Sequence, residues 1–172
     1  VAAQVKIGLL VSATGPTAAI GVPQKNTGDL LPRHLGGAPI EYFQLEDGAD
    51  STRAVQNARK LLQEHNVDAI IGPSTTPAAL AILDVIAEGG VPLLATVGSS
   101  NVVEPQDAKR RWVFKTTQND DLIASALIRH MKANGVRTLG FVGFNDPYGE
   151  NWHRVLGPMA EKEGVRIVAS ER

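Results

Sequence analysis

The sequence of 172 residues predicts an α/β protein with a doubly wound parallel sheet. Short apolar runs, which are typical of buried strands, alternate with amphipathic runs, which are typical of helices. Gly and Pro mark most of the boundaries between the two kinds of segment. Because helices and strands alternate throughout, successive strands are expected to run parallel, with helices on both faces of the sheet.

The first strand is predicted at Val5–Val11, where both faces are apolar except at Lys6. A small, polar loop follows over residues 12–17. Next we predict a short helix between residues 23 and 35. A strand over residues 39–45 alternates apolar and polar side chains and opens with proline, a pattern typical of an edge strand.

Two helices are predicted in the middle of the chain. The helix over residues 51–65 has one apolar stripe, and Asp50 or Ser51 supplies its N-cap. The helix over residues 77–88 begins with a proline at its first position and ends at a pair of glycines. Thr76 is the predicted N-cap of this second helix.

The last third of the chain continues the alternation of strands and helices. Gly157 and Pro158 are expected to break or kink the last helix, because proline removes a backbone hydrogen bond. The predicted elements are a strand at 112–115, a helix capped by Asn119 or Asp120 and ending at 134–135, a strand at 138–144, a helix after 146 and a strand at 165–169.

Composition excludes several classes of function. A net charge of -1 and an aromatic content of 5% give no reason to expect a nucleic-acid partner. No apolar run approaches the ~20 residues of a membrane-spanning helix, so we expect no direct membrane insertion. Without cysteine there is no disulfide, cysteine-ligated zinc site or thiol nucleophile.

Hydroxyl-rich loops follow two successive predicted strands. Residues 74–76 follow an apolar strand at 67–72, and residues 98–100 follow a strand at 91–97. Ligands of open parallel sheets bind at the carboxyl ends of the strands, where hydroxyls and helix-start N–H groups hold a carboxylate or another anion. The alternatives are simple helix capping in the first loop and an ordinary turn in the second. Two such loops on adjacent strands favour a shared polar cleft.

The usual sequence motifs of enzymes are missing. The loop after the first strand lacks paired glycines for a dinucleotide, and there is no phosphate loop or nucleophile elbow. The four histidines lie on different segments without metal-ligand spacing. We therefore expect no catalytic residue, no bound metal and no cofactor, and predict a protein that holds a small molecule without transforming it.

Several short segments along the chain carry a resemblance in order and spacing: residues 7–16, 20–21, 26–28, 46–47, 58–61, 70–73, 91–93 and 146–149. Through these segments the sequence resembles the periplasmic leucine/isoleucine/valine-binding protein family, the type I solute-binding proteins of branched-chain amino-acid ABC transporters. It is similar to the subgroup that includes binders of aromatic and hydroxylated carboxylic acids. The resemblance implies a flavodoxin-like strand order.

The resemblance also implies the ligand-binding residues. Thr76 stands where a hydroxyl and its backbone N–H hold the ligand carboxylate. Ser100 stands where a hydroxyl contacts both carboxylate and α-ammonium, and Gly98 where a backbone carbonyl accepts from the ammonium. Ile20 faces the apolar end of the ligand, and Tyr148 belongs to the lobe that closes on it. The residues that line the same wall as Thr76 are Ser74, Thr75 and Ser99.

By the same resemblance, residues 1–117 form the amino-terminal lobe without its return segment, and residues 118–172 form the start of a second lobe. The resemblance implies that the two lobes close about a hinge on a small carboxylate, which the protein would deliver to a membrane permease. The small, polar residues 1–4 fit a mature periplasmic protein after removal of a signal peptide. Because the second sheet is expected to be unfinished, these 172 residues alone should self-associate and bind ligand weakly.

Two other functions stay open at this stage. Lobes of this type also serve receptors and regulators, so a ligand-sensing module is the main alternative. An enzyme of flavodoxin-like architecture is a second alternative, because the same kind of sheet hosts many activities. That enzyme would need a titratable pair at the cleft, whereas the candidate loops offer only hydroxyls.

Overall fold

A computed structural model describes residues 4–172, which form two compact units. The first unit contains residues 4–97 and Val102–Thr116, and the second contains Gly98–Asn101 and Thr117–Arg172. The predicted lobes are defined by resemblance to a longer fold and stay a prediction. The expected mature amino terminus lies outside the described residues, apart from residue 4.

The first unit is built on a six-stranded sheet. Its strands are β1 (Val5–Val11), β2 (His34–Leu35), β3 (Ala38–Glu46), β4 (Ala69–Ile71), β5 (Leu93–Ala95) and β6 (Val113–Lys115). The order is β2-β3-β1-β4-β5-β6, and every pairing is parallel except that of β2 with β3. Without the two-residue β2, the parallel strands have the flavodoxin-like order. The predicted fold class is therefore confirmed.

Helices cover both faces of this sheet. They are α1 (Ala18–Asp29), α2 (Ser51–Gln63), α3 (Thr76–Ala81) and α4 (Leu83–Gly89). Within β1, Gly8 packs against Leu61 of α2, whereas the next residue, Leu9, packs against Gly28 of α1. Since neighbouring strand residues point to opposite faces, α1 and α2 lie on opposite sides of the sheet.

The helix predicted between residues 23 and 35 is displaced, because α1 begins at residue 18 and ends at residue 29. A Cβ on Gly21 would overlap the carbonyl oxygen of Ser12, so glycine lets the first turn of α1 lie directly against the end of β1. Pro23 lies inside the helix instead of starting it. Residues 34–35 form β2, because Gly36 and Gly37 both adopt positive φ and make a two-residue hairpin turn to β3.

The second unit has its own small core. Its elements are α5 (Asp120–Ala133), β7 (Thr138–Val142), α6 (Pro147–Lys162) and β8 (Arg166–Glu171), and β7 and β8 pair in parallel. Of the break or kink expected at Gly157 and Pro158, the break is wrong, because α6 continues through both residues. Leu156 and Ala160 flank the proline and are buried in the core, so tertiary packing holds the helix together across it. Within residues 4–172, no helix has the length and apolar character needed to span a membrane.

Candidate functional site

The loop after β4 leads directly into α3 and carries three hydroxyls. The predicted N-cap at Thr76 is wrong: Thr75 is the N-cap, and its Oγ1 accepts from the backbone N–H of Ala78 at 3.4 Å. Thr76 is the first helical residue and is 3% exposed. Its Oγ1 is buried without a hydrogen-bond partner among the described residues. The Thr76 hydroxyl is therefore not used for capping.

Ser74, the first hydroxyl of this loop, takes part in an internal network. Its Oγ accepts from the backbone N–H of Ser12 at 2.9 Å and donates to Oε1 of Gln24 at 2.5 Å. The Gln24 amide donates to Oγ1 of Thr96 at 3.3 Å, and Thr96 donates to the carbonyl oxygen of Pro73 at 2.9 Å. The network joins α1 to the loops that follow β1, β4 and β5.

A buried carboxylate anchors the loop after β1. The Ser12 hydroxyl donates to Oδ1 of Asp47 at 2.5 Å, and the Ala49 N–H donates to the same oxygen at 2.9 Å. Asp47 is 0% exposed, and its Oδ2 has no hydrogen-bond partner among the described residues. Burial raises the pKa of Asp47, and the two hydrogen bonds only partly oppose that effect.

The neighbouring carboxylate behaves in the opposite way. Burial pushes the pKa of Glu46 upward, but hydrogen bonds from Thr14 and Gly48 and the positive charge of Arg53 outweigh burial and lower it. Oε1 of Glu46 accepts from the Thr14 N–H and hydroxyl, both at 3.0 Å, and from the Gly48 N–H at 2.7 Å. Glu46 thus ties the loop after β1 to the loop after β3.

In the second unit, Gly98 lies against the side chains of Tyr148 and Asp120. A Cβ on Gly98 would lie 2.9 Å from Cε2 of Tyr148 and 3.2 Å from Oδ1 of Asp120, so only glycine fits here without displacing a neighbour. Ser99 is fully buried, and its Oγ accepts from the Asn101 N–H at 3.3 Å. Ser100 is partly exposed and opens a short 3-10 turn, Ser100–Val102.

Buried polar side chains surround this loop within the second unit. Asn151 donates to Oδ2 of Asp120 at 2.5 Å, and both residues are 1% exposed. Arg154 donates to Oδ1 of Asn151 at 2.5 Å and to Oδ1 of Asn101 at 3.3 Å. Arg154 thus links the loop that carries Ser99 and Ser100 to α6.

The predicted site residues divide between the two units. In the first unit, Ser74, Thr75 and Thr76 lie together on the loop into α3, and Ile20 is 50% exposed on α1. In the second unit, Gly98 contacts Tyr148, and the serines follow directly in the chain. Among the described residues, no three His, Cys, Asp or Glu side chains form a metal-binding group.

Sequence reasoning missed the polar side chains that hold these loops. The group comprises Ser12, Gln24, Asp47, Thr96, Asp120 and Asn151. For Asp47 a signal was present, since the residue lies two positions after the predicted strand at 39–45, at the carboxyl edge of the sheet. Gln24 had no such signal, because its partners are 50 and 72 residues away in the sequence.

The family is shown by comparison with known proteins. The periplasmic binding protein family profile matches residues 4–172, so the chain belongs to that family. It is 29% identical to the Leu/Ile/Val-binding protein BraC3 of Rhizobium johnstonii, over 77% of this chain and 37% of that protein. The fold, the parallel sheet and the substrate-binding character of the relatives agree with the predicted family.

Solved structures agree with the family assignment. The chain is 43% identical to an extracellular ligand-binding receptor from Rhodopseudomonas palustris HaA2, with a TM-score of 0.94 over 98% of this chain and 47% of that one. An ABC transporter solute-binding protein from Rhodopseudomonas palustris BisB5, solved with 3,4-dihydroxybenzoic acid, is 22% identical and shares the fold, with a TM-score of 0.88 over 98% and 47% of the chains. The chain thus spans less than half the length of these relatives.

Proposed function

We propose that this chain belongs to the extracytoplasmic solute-binding component of an ABC importer. The ligand is a small carboxylate with an apolar body, such as a branched-chain or other apolar amino acid or an aromatic acid. The observation that carries the carboxylate is the buried hydroxyl of Thr76, which has no hydrogen-bond partner among the described residues. No chemical step and no cofactor is part of the proposal.

A ligand carboxylate would satisfy the Thr76 hydroxyl. Leaving a buried hydroxyl without a partner costs about 1–3 kcal/mol, and a hydrogen bond to the ligand would remove that cost. Thr75 already caps the helix, so the Thr76 hydroxyl is available to a ligand. A hydrogen bond from this hydroxyl to a carboxylate is charge-assisted and therefore stronger than one between neutral groups.

The apolar body of the ligand is supported by the small or aliphatic side chains among the predicted site residues. Ile20 offers an exposed aliphatic surface in the first unit. In the second unit, the ring of Tyr148 lies against Gly98, where any side chain would collide with it, and Ser99 is buried, so this loop offers the tyrosine ring as its apolar surface. Ser100 and Tyr148 take the roles that the family resemblance gives them, as a hydroxyl donor and as the aromatic residue that closes on the ligand.

The ligand classes are supported by what the relatives bind. One relative is named for leucine, isoleucine and valine, and another structure holds 3,4-dihydroxybenzoic acid. Both kinds of ligand combine a carboxylate with an apolar or aromatic body. By analogy, ligand binding shifts an open–closed equilibrium of two lobes in the periplasm, and the closed form delivers the ligand to a membrane permease.

The test is a ligand screen on the full-length protein by thermal shift, followed by calorimetry. Apolar amino acids and benzoate-type acids should bind more tightly than glutamate, lysine or sugars. Thr76→Val should weaken binding of the best ligand about tenfold or more, because it removes a charge-assisted hydrogen bond. Thr52→Val, on the exposed surface of α2, is the matched control and should bind normally. A sugar, glutamate or lysine as the tightest ligand, or unchanged affinity in Thr76→Val, would contradict the proposal.

A second candidate is a ligand-sensing module, which the description of one relative as an extracellular ligand-binding receptor favours. The two functions differ in the partner that the ligand-bound protein contacts. Uptake of radiolabelled ligand that disappears on deletion of the gene, and returns with the wild-type gene, supports the importer. Normal uptake combined with loss of a ligand-induced transcriptional or signalling response supports the sensor.

A further inference from the structure

We infer that Gln24 is a positioning residue, whose carboxamide holds the loop that presents Thr76. This inference rests on the proposed function, because it assigns a role in the same site. Gln24 lies on α1 in the first unit and is not among the residues expected to touch ligand. Its partners follow two different strands, since Ser74 lies after β4 and Thr96 directly after β5.

The hydrogen bonds of Gln24 form a closed ring. Ser74 donates to Oε1 of Gln24, Nε2 of Gln24 donates to Thr96, and Thr96 donates to the carbonyl oxygen of Pro73. Pro73 and Ser74 are consecutive residues, so the ring begins and ends on the same loop. This loop leads through Thr75 into α3, where Thr76 is the first residue.

The directions of these hydrogen bonds require that the side chain of Gln24 both accept one hydrogen bond and donate another. The backbone N–H of Ser12 donates to the Ser74 oxygen, so the hydroxyl proton of Ser74 is directed at Gln24. The hydroxyl proton of Thr96 is directed at Pro73, so the Thr96 oxygen is left to accept. A carboxamide supplies one acceptor and one donor in this arrangement, whereas an ionised carboxylate supplies only acceptors.

Gln24 thus affects ligand binding without touching the ligand, because it holds the loop that leads to Thr76. When the ring is intact, Pro73 and Ser74 are each held by a side chain from another segment, and the loop leading to Thr76 has a defined course. When a carboxylate replaces the carboxamide, the Thr96 hydroxyl turns toward it and releases the Pro73 carbonyl, and when no polar group is left at this position, the Ser74 hydroxyl loses its acceptor. The affinity for a carboxylate should then fall about three- to tenfold, which corresponds to the loss of one hydrogen bond.

The test compares Gln24→Met, which removes both hydrogen bonds, with Gln24→Glu, which removes only the donor at neutral pH. Binding of L-leucine and of 3,4-dihydroxybenzoate is measured by calorimetry on the full-length protein. Amide hydrogen exchange at Ala78 and Ala79, whose N–H groups bond to Thr75, is measured without ligand. Gln63→Met and Gln63→Glu, at the exposed end of α2, are matched controls.

We expect Gln24→Met to weaken binding of the preferred probe and, relative to wild type at the same pH, to speed exchange at both amides by the same factor at about pH 3.5 and about pH 8. Gln24→Glu should weaken binding and speed exchange at the higher pH, and its exchange should return toward wild type at the lower pH, because a protonated carboxyl donates again. A residue that only contributes to stability would not produce this pH-dependent rescue. Wild-type affinity and exchange in Gln24→Met, or no rescue of Gln24→Glu, would overturn the inference. If the wild type binds neither probe, nor any other apolar amino acid or aromatic acid in the ligand screen, the proposed ligand class fails, and the exchange data alone decide the role of Gln24.

Discussion

The hydroxyl of Ser12 donates to Oδ1 of Asp47 at 2.5 Å, and both side chains are completely buried in the first unit. This bond joins the loop after β1 to the residue that follows β3. A charged carboxylate in such a place is destabilised by burial, and Oδ2 has no hydrogen-bond partner among the described residues to offset the cost. The arrangement makes the stability of the first unit depend on pH.

The first prediction concerns that pH dependence. The pKa of Asp47 is raised in the folded protein, so the folded state binds more protons than the unfolded state above the ordinary carboxyl pKa of 3.8. The free energy of unfolding should therefore fall as pH rises from 3.8 through the raised pKa. Asp47→Asn keeps an oxygen that accepts from Ser12 and Ala49, and should remove this fall. Urea unfolding across the acid range measures it.

Glu46 provides the control for this experiment, because its pKa is lowered from 4.5. Its contribution to stability is present above that value and is lost as pH falls through the lowered pKa. Glu46→Gln should therefore flatten the curve at the acid end, and Asp47→Asn should flatten it at higher pH. If both variants gave the same curve as the wild type, the assignment of these two shifts would be wrong.

The second prediction separates the neighbouring threonines by their effect on stability. Thr75→Val removes the N-cap of α3 and should lower the free energy of unfolding by about 1 kcal/mol. Thr76→Val replaces a buried hydroxyl without a partner by a methyl group, so stability should be unchanged or raised by up to about 1 kcal/mol. Urea unfolding of the ligand-free protein checks both values. Equal losses in the two variants would mean that Thr76 has a partner in the folded protein.

The third prediction contrasts two glycines inside helices. Gly157→Ala should change the melting temperature little, because the new methyl makes only an ordinary contact with Ile167 at 3.9 Å, and the helix preference of alanine, about 1 kcal/mol, is opposed by crowding of its Cβ against Pro158. Gly21→Ala should lower stability by about 2 kcal/mol or more, because the methyl would overlap the Ser12 carbonyl. Calorimetry measures both changes. A stabilised Gly21→Ala would show that α1 moves away from β1 easily.

The fourth prediction concerns the 172-residue polypeptide prepared by itself. Val142 and Val168 of the two-stranded sheet are 85% and 62% exposed, and such a sheet offers an unpaired edge to other chains. We expect concentration-dependent self-association in sedimentation velocity. The double variant Val142→Lys and Val168→Lys should reduce this self-association. Leu30→Lys, at an exposed apolar residue of the first unit, should not reduce it. A stable monomer at every concentration would contradict this expectation.

Much of the fold could be predicted from local patterns. Val5–Val11 is a strand as predicted, because its apolar run has no other way to bury both faces. Asp50 caps α2 as expected, since a cap depends only on residues a few positions away. The helix near residue 23 and the continuous α6 were not predictable in this way. Long-range packing decided both cases: Gly21 lies against Ser12 in the first turn of α1, and the buried residues Leu156 and Ala160 hold α6 together across its proline.

The candidate site, like the fold, could be predicted only in part. Hydroxyls at the carboxyl ends of β4 and β5 were visible in the sequence, because the alternation of strands and helices predicts which loops meet at that edge. Their individual tasks were not visible, since neighbouring hydroxyls look alike: Thr75 caps the helix, Thr76 does not, and Ser74 bonds to Gln24.

By itself, the sequence determined the class of fold, the order of the strands through family resemblance, and the chemistry of the loops as hydroxyl-rich and free of nucleophile–base pairs. The fold class and the chemistry of the loops follow from periodicity and composition, which act over a few residues, whereas the strand order follows from the resemblance alone. Only the tertiary structure decided which polar groups are satisfied. The side chains that bond to Ser12, Gln24 and Asp47 lie 35 to 72 residues away, and chain segments so distant come together only when the sheet has formed.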